Sequence, residues 1–307
     1  MQQALRLFLD RVYLGRYPKR QTGYTVVSAS MLLLMILAPG GVFGHEAGAP
    51  FSGAIVEPLE VHHAHIEDEQ RVSFSFFDGF SEEGGGTRAA FAHIVELAAA
   101  WTSDFQIGSE VFIPFSNTGG DRDDYSIGDI EVWPLKYAFL NEPETIFTGV
   151  LSLKLPTGSE SKGLGEGNTA LGALFLFDQA HRNWYWGVNT EIATNISHER
   201  GTEFELASAI SYSFIRETGE GMAPPRPDQA IVPALSLELI SESTLEGEKE
   251  GEHVFTVLPG VHLWHPASGW AVRLGVQVPV SSDKTFDAAV LCQISNHLDW
   301  GALFGKH

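Results

Sequence analysis

Residues 144–195 read ETIFTGVLSLKLPTG (144–158), SESKGLGEGNT (159–169) and ALGALFLFDQAHRNWYWGVNTEIATN (170–195). In the last part Trp184, Trp186, Val188, Thr190 and Ile192 fall on one side of a two-residue period; Tyr185, Gly187, Asn189, Glu191, Ala193 and Asn195 fall on the other. Successive side chains of a strand point to opposite faces, so this is a strand with one apolar and one polar face. The first part repeats the pattern, with Phe147, Leu151, Leu153 and Leu155 opposing Thr148, Ser152 and Lys154. Loops rather than helices join the segments, and the unit reads as an antiparallel hairpin.

Outward from this hairpin the same grammar continues. Twelve strands are expected at about 70–80, 89–101, 104–116, 127–140, 144–156, 168–178, 183–195, 202–216, 229–243, 253–264, 269–280 and 286–298. Most run ten to fifteen residues, longer than the five or six common in soluble domains and close to what a tilted strand needs to cross a bilayer. In 269–280, Trp270, Val272, Leu274, Val276, Val278 and Val280 oppose Ala271, Arg273, Gly275 and Gln277. Trp101, Trp133, Trp184, Trp186, Trp264 and Trp270 sit near strand ends, where an interfacial girdle would place them. Connections after even-numbered strands are mostly tight and those after odd-numbered strands are mostly longer and charged, the asymmetry of an outer-membrane barrel with both termini in the periplasm. The proline-rich stretch 217–228 breaks that rule, and ten or fourteen strands also fit.

The N-terminus reads as an address. Arg6, Arg11, Arg16, Lys19 and Arg20 stand against Asp10, and an apolar run from Val26 to Leu37 follows. That run is shorter than the roughly 20 residues of a spanning helix, so residues 1–44 are expected to be a Sec-type signal peptide cleaved before His45. Removing them takes away five positive charges and one negative, moving the net charge from −20 to −24. Such a chain lacks the basic face of a nucleic-acid binder. Its single cysteine, Cys292, excludes an intrachain disulfide.

Leu153-Lys154-Leu155-Pro156-Thr157-Gly158, Gly163-Leu164-Gly165-Glu166-Gly167-Asn168-Thr169 and Trp184-Tyr185-Trp186 with Asn189 resemble the outer-membrane channel family named for the meta-pathway of phenol degradation. The resemblance is strongest over 130–195 and looser, by pattern, over 70–298. It implies a β-barrel passing small, often aromatic molecules. The chain departs from the pattern at its end, running past Leu298 into DWGALFGKH rather than stopping on a terminal aromatic residue.

The remaining motifs divide into pathway and chemistry. Strand parity points Glu110, Lys136, Lys154, Asn189, Glu191, Glu203, Glu205, Glu238, Arg273 and Gln277 into the lumen, since a Lys or Arg on the lipid face at mid-bilayer costs about 2–4 kcal/mol. His45, His62, His63 and His65 supply imidazoles that suit Zn, Cu or Ni, and a new N-terminal His45 would offer an amine as well. The competing reading is a solvated or plug-like segment. Gly163, Gly165 and Gly167 lack the Lys-Ser or Lys-Thr of a phosphate loop. Asp121, Asp123, Asp124 and Asp129 lack the glycine and closing glutamate of a calcium loop and read as solvated charge. No Gly-x-Ser-x-Gly or His-Glu-x-x-His occurs and no strand singles out a Ser and a His, though spacing leaves His93 and Ser109 open as the pair of a barrel hydrolase.

The expectation is therefore an all-β protein: a transmembrane antiparallel up-and-down β-barrel of about twelve strands over 70–298. Residues 45–69 form a His-rich periplasmic extension or plug, and 299–307 a tail. Its expected role is passive passage of a small molecule, aromatic or hydrophobic ones included, through the lumen in the outer membrane, without catalysis. The alternatives are transition-metal handling by the His-rich segment and lipid hydrolysis. No cofactor is expected beyond a transition metal at those histidines. Expected partners are outer-membrane lipid and lipopolysaccharide, the barrel-insertion machinery and the solute, with no nucleic acid.

Overall fold

The computed structural model describes residues 58–80, 89–102, 105–117, 126–158, 165, 167–197, 201–215, 230–247, 249–266, 268–284 and 286–296. The expectations for 1–44, His45, 217–228 and 299–307 lie outside them, as do Gly163 and Asp121, Asp123 and Asp124. The strands are β1 (Glu69–Phe80), β2 (Ala89–Thr102), β3 (Ile107–Asn117), β4 (Ser126–Ile127), β5 (Ile130–Glu142), β6 (Thr145–Leu155) and β7 (Ala170–His181). They continue as β8 (Trp184–Asn195), β9 (Thr202–Ser213), β10 (Val232–Glu246), β11 (His253–His265), β12 (Trp270–Pro279) and β13 (Ala288–Asn296).

Every pairing is antiparallel and every long strand pairs with its sequence neighbours, while β1 pairs with β13 from Gln70↔Asn296 to Asp78↔Ala288. That last ladder closes the sheet. The two-residue β4 and the long β5 both pair with β3 and share one place in it, so the result is a closed twelve-stranded barrel. Closure removes the edges that an open sheet of this length would present. With an even number of strands, the start of β1 and the end of β13 share a rim. Tight connections at 142–145, 181–184 and 265–270 belong to that same rim.

The barrel wall inverts the usual distribution of side chains. Leu151, Phe175, Trp186, Ile192, Leu235 and Val261 stand exposed on the outside. Their strand neighbours Ser152, Leu174, Tyr185, Ser236 and His262 are buried inside. An apolar exterior over a partly polar interior is the pattern of a strand barrel that faces lipid.

Two of the six tryptophans expected in a girdle do not belong there. Trp101, Trp184 and Trp186 face outward, but Trp133 is only 1% exposed and Trp264 is buried as well. For Trp133 the cause is a break in the β5–β6 register between Val132 and Leu135. Pro134 has no N–H to give the ladder, and the extra residue of a bulge shifts the alternation. Consequently Glu131 and Trp133 lie on the inner parity before the bulge, and Lys136 and Ala138 on it afterwards. Trp264 faces inward simply because it shares the parity of Leu258, Gly260 and His262 in β11, and it packs with Val232 and Ala271.

Candidate functional site: a lumen occupied by residues 58–68

Residues 58–68 precede β1 and enter the barrel from the rim with tight turns. They have no strand partner, so their backbone groups must be satisfied otherwise. The wall supplies side chains for this. Glu238 of β10 accepts the N–H of Leu59 on one oxygen at 2.7 Å, and those of Glu60 and Val61 on the other at 2.9 and 2.8 Å. Successive N–H groups converging on one anion form a nest, and an acceptor-only carboxylate matches three donors.

Further along, Asp178 of β7 accepts the Ala64 N–H at 2.6 Å and the Tyr185 hydroxyl at 2.8 Å. Thr148 of β6 donates to the Ala64 carbonyl at 2.5 Å, and Lys136 to that of His65 at 3.5 Å. Gln293 of β13 reaches the Leu59 carbonyl at 3.5 Å and is itself held by Arg273. Where the segment meets β1, Asp68 accepts the Thr102 N–H at 2.7 Å. Arg71 lies 3.3 Å from Glu69 and 3.4 Å from Glu110, whose other oxygen is 3.4 Å from Lys136.

Apolar contacts complete the seat. Leu59, Val61, Ala64 and Ile66 are buried. Leu59 lies over Gly260 and Gly275, and a Cβ at Gly108 would meet Ile66 at 2.5 Å. Those wall positions are open because they carry no side chain.

The histidines divide. His62 packs edge-on against Trp133 and Phe112, with ring centroids 4.7 and 5.8 Å away. His63 and His65 stack on each other at 3.8 Å. Stacked rings present faces rather than lone pairs to a common point, and among the described residues no three His, Cys, Asp or Glu side chains are set to hold a metal ion. Burial first, then the neighbouring His65, pulls the His63 imidazole below its ordinary range against the opposing pull of Glu69. His63 Nε2 and Glu69 are 3.4 Å apart. His62 is pulled further down, by burial and then by Arg71 and Lys136.

Toward the loop rim the lumen turns acidic. Glu191, Glu205 and Glu242 stand directly opposite one another on β8, β9 and β10. Glu203 shares their face, and Glu131 pairs across β5–β6 with Lys154. Glu60 of the resident segment is open to lumen water, yet the wall encloses it with Glu238, Glu96 and Glu205; enclosure first, then those carboxylates, raise its carboxyl.

An outer-membrane channel from Pseudomonas putida F1 is similar to this chain with a TM-score of 0.51 and 11% identity, over 79% of this chain and 99% of that one. The fold is that of the outer-membrane barrels. Also similar are the NanC porin (TM-score 0.49, 9% identity, 75% of this chain and 100% of that one) and the KdgM porin (0.46, 10%, 75% and 99%). No protein-family model and no curated protein matches the sequence.

Within the barrel the residues selected by parity fall as follows. Glu110, Lys136, Asn189, Glu238 and Arg273 are buried inside. Lys154, Glu191, Glu205 and Gln277 are half-buried on the inner parity, and Glu203 is open to the lumen. Glu238, Lys136 and Arg273 take part in holding the segment, whereas Glu191, Glu203 and Glu205 lie in the acidic stretch above it. Gln277 lies opposite Ala289. His93 and Ser109 do not form a pair: β2 and β3 register His93 with Asn117 and Trp101 with Ser109. Eight residues of strand separate them, about 26 Å at roughly 3.3 Å per residue. Asp129, weighed for calcium, is buried and accepts the Gly158 N–H at 2.8 Å. Sequence reasoning missed Asp178, Thr148 and Gln293, although all three share the inner parity of their strands. It also missed Ser236 and His262, hydrogen-bonded at 2.6 Å across β10 and β11.

Proposed function

We propose that this protein is an outer-membrane channel that passes small cationic or neutral molecules, aromatic ones included, by diffusion, and that residues 58–68 control its lumen. Residues 1–44 direct its export and leave the mature chain. The observation that carries the reading is the row Glu191, Glu205 and Glu242 on three neighbouring strands. Like charges directly opposite on a sheet are unfavourable, and a cation moving past them relieves that repulsion. Rings of carboxylates favour cations in the same way in other pores. A structural barrel needs no such row.

The test is the reversal potential of the refolded chain in a planar bilayer under a potassium chloride gradient. A potential of the sign set by potassium supports the proposal. One set by chloride refutes it.

A further inference from the structure

Residues 58–68 are held in a way that says something about what else the lumen binds. Glu238 and Asp178 take four backbone N–H groups of the segment, and Thr148, Lys136 and Gln293 approach three of its carbonyls. All seven contacts are read from the backbone, which every peptide shares. Side chains of the segment add Leu59 over Gly260 and Gly275, Ile66 over Gly108, His62 against Trp133 and Phe112, and Asp68 at the Thr102 N–H. Backbone bonds that give affinity, with pockets that give selectivity, are the terms on which peptides are recognised elsewhere. Because the partners are wall side chains and not a strand ladder, the segment can leave without breaking the barrel.

We infer that the lumen wall is a binding track for peptides in the bent form that residues 58–68, its tethered resident, adopt. The ligand class is an oligopeptide of about eight or more residues carrying apolar side chains at the spacing of Leu59 and Ile66. It enters from the rim where β1 begins and exchanges with the resident. This goes beyond the channel reading and does not depend on current flowing.

The experiment uses the mature full chain carrying Val61→Pro and Ala64→Pro, which remove two of the four N–H donors from the resident and leave the wall intact. A fluorescent peptide keeping Leu59 and Ile66, with the positions between changed to alanine and serine, is titrated against it by anisotropy. Saturable binding is expected. N-methylation of the peptide at the positions of Val61 and Ala64 weakens it at least tenfold, and so does Glu238→Gln in the protein. No binding to the folded variant, or N-methylated peptide binding within twofold of the parent peptide, overturns the inference. The unsubstituted chain supplies a test that needs no variant. A tether presents the resident at an effective concentration of order millimolar, so peptide is added in excess of that. Amide exchange at residues 59–61 should then accelerate at least threefold over the N-methylated control. Unchanged exchange overturns the inference, whatever the bilayer recordings show.

Discussion

Replacing Glu238 by glutamine changes one oxygen into an NH2 group at nearly constant volume. In the native seat one oxygen takes the Leu59 N–H and the other takes those of Glu60 and Val61. Whichever way the amide is turned, at least one buried N–H then faces another donor. Hydrogen bonds to a charged acceptor contribute about 1.5–3 kcal/mol and neutral ones about 0.5–1.5. Losing one and weakening two comes to about 4 kcal/mol, and lumen water that replaces part of the loss brings it toward about 2. At about 1.4 kcal/mol per tenfold, the released state rises roughly 30- to 1,000-fold. Peptide-resolved hydrogen exchange reads this directly. Amides 59–61 should exchange faster by that factor in Glu238→Gln, while the β9–β10 ladder keeps its parent rates. Parent-like exchange at 59–61, within threefold, would show that Glu238 does not hold the segment.

Other consequences can be measured on the same preparation. Ala64→Pro removes the N–H that Asp178 accepts, so channel openings should become at least tenfold more frequent with the thermal unfolding of the barrel unchanged; a matching loss of barrel stability would contradict this. Docking the segment should depend on pH in two opposed ways. Glu60, facing Glu238, Glu96, Glu205 and the more distant Arg71, has its carboxyl raised from 4.5 to about 8 in the docked state, so its contribution is fully present below 4.5 and is lost as pH rises through about 8. His63, facing His65, Glu69 and Lys136, is lowered from 6.5, so its contribution is present above 6.5 and is lost as pH falls. His62, lowered further, adds to the acid limb, so open probability should be lowest near 6.5 and rise on both sides, and Glu60→Gln should flatten the alkaline limb alone. Glu191→Lys with Glu205→Lys should move the reversal potential toward that of chloride, and an unmoved potential would take the acidic row out of the pathway.

The barrel could be read from the sequence because lipid on one side and a polar lumen on the other impose the same two-residue alternation on strand after strand, as at 184–192 and 270–280. The break at Pro134 was less visible. A bulge shifts parity without changing the average composition, and only the proline's missing N–H announces it, so Trp133 was assigned to the wrong face. Residues 58–68 were harder still. Their backbone bonds go to single side chains on distant strands, and Leu59 and Glu238 lie 179 positions apart. No period marks such a segment. Glu238, Lys136 and Arg273 were found by parity, but their use in holding a peptide was not, because parity gives a face and not a partner. Adjacency in sequence likewise gave no partner for the histidines: His62 sits in an aromatic seat, while His63 and His65 stack on each other.

The most direct test is the single-channel current of the mature chain and its Glu238→Gln variant, recorded side by side in planar bilayers. The account predicts brief, infrequent cation-selective openings in the parent and the same unit conductance at least tenfold more often in the variant. Barrels that insert and stay silent in both, or a parent that stands open without interruption, would contradict it.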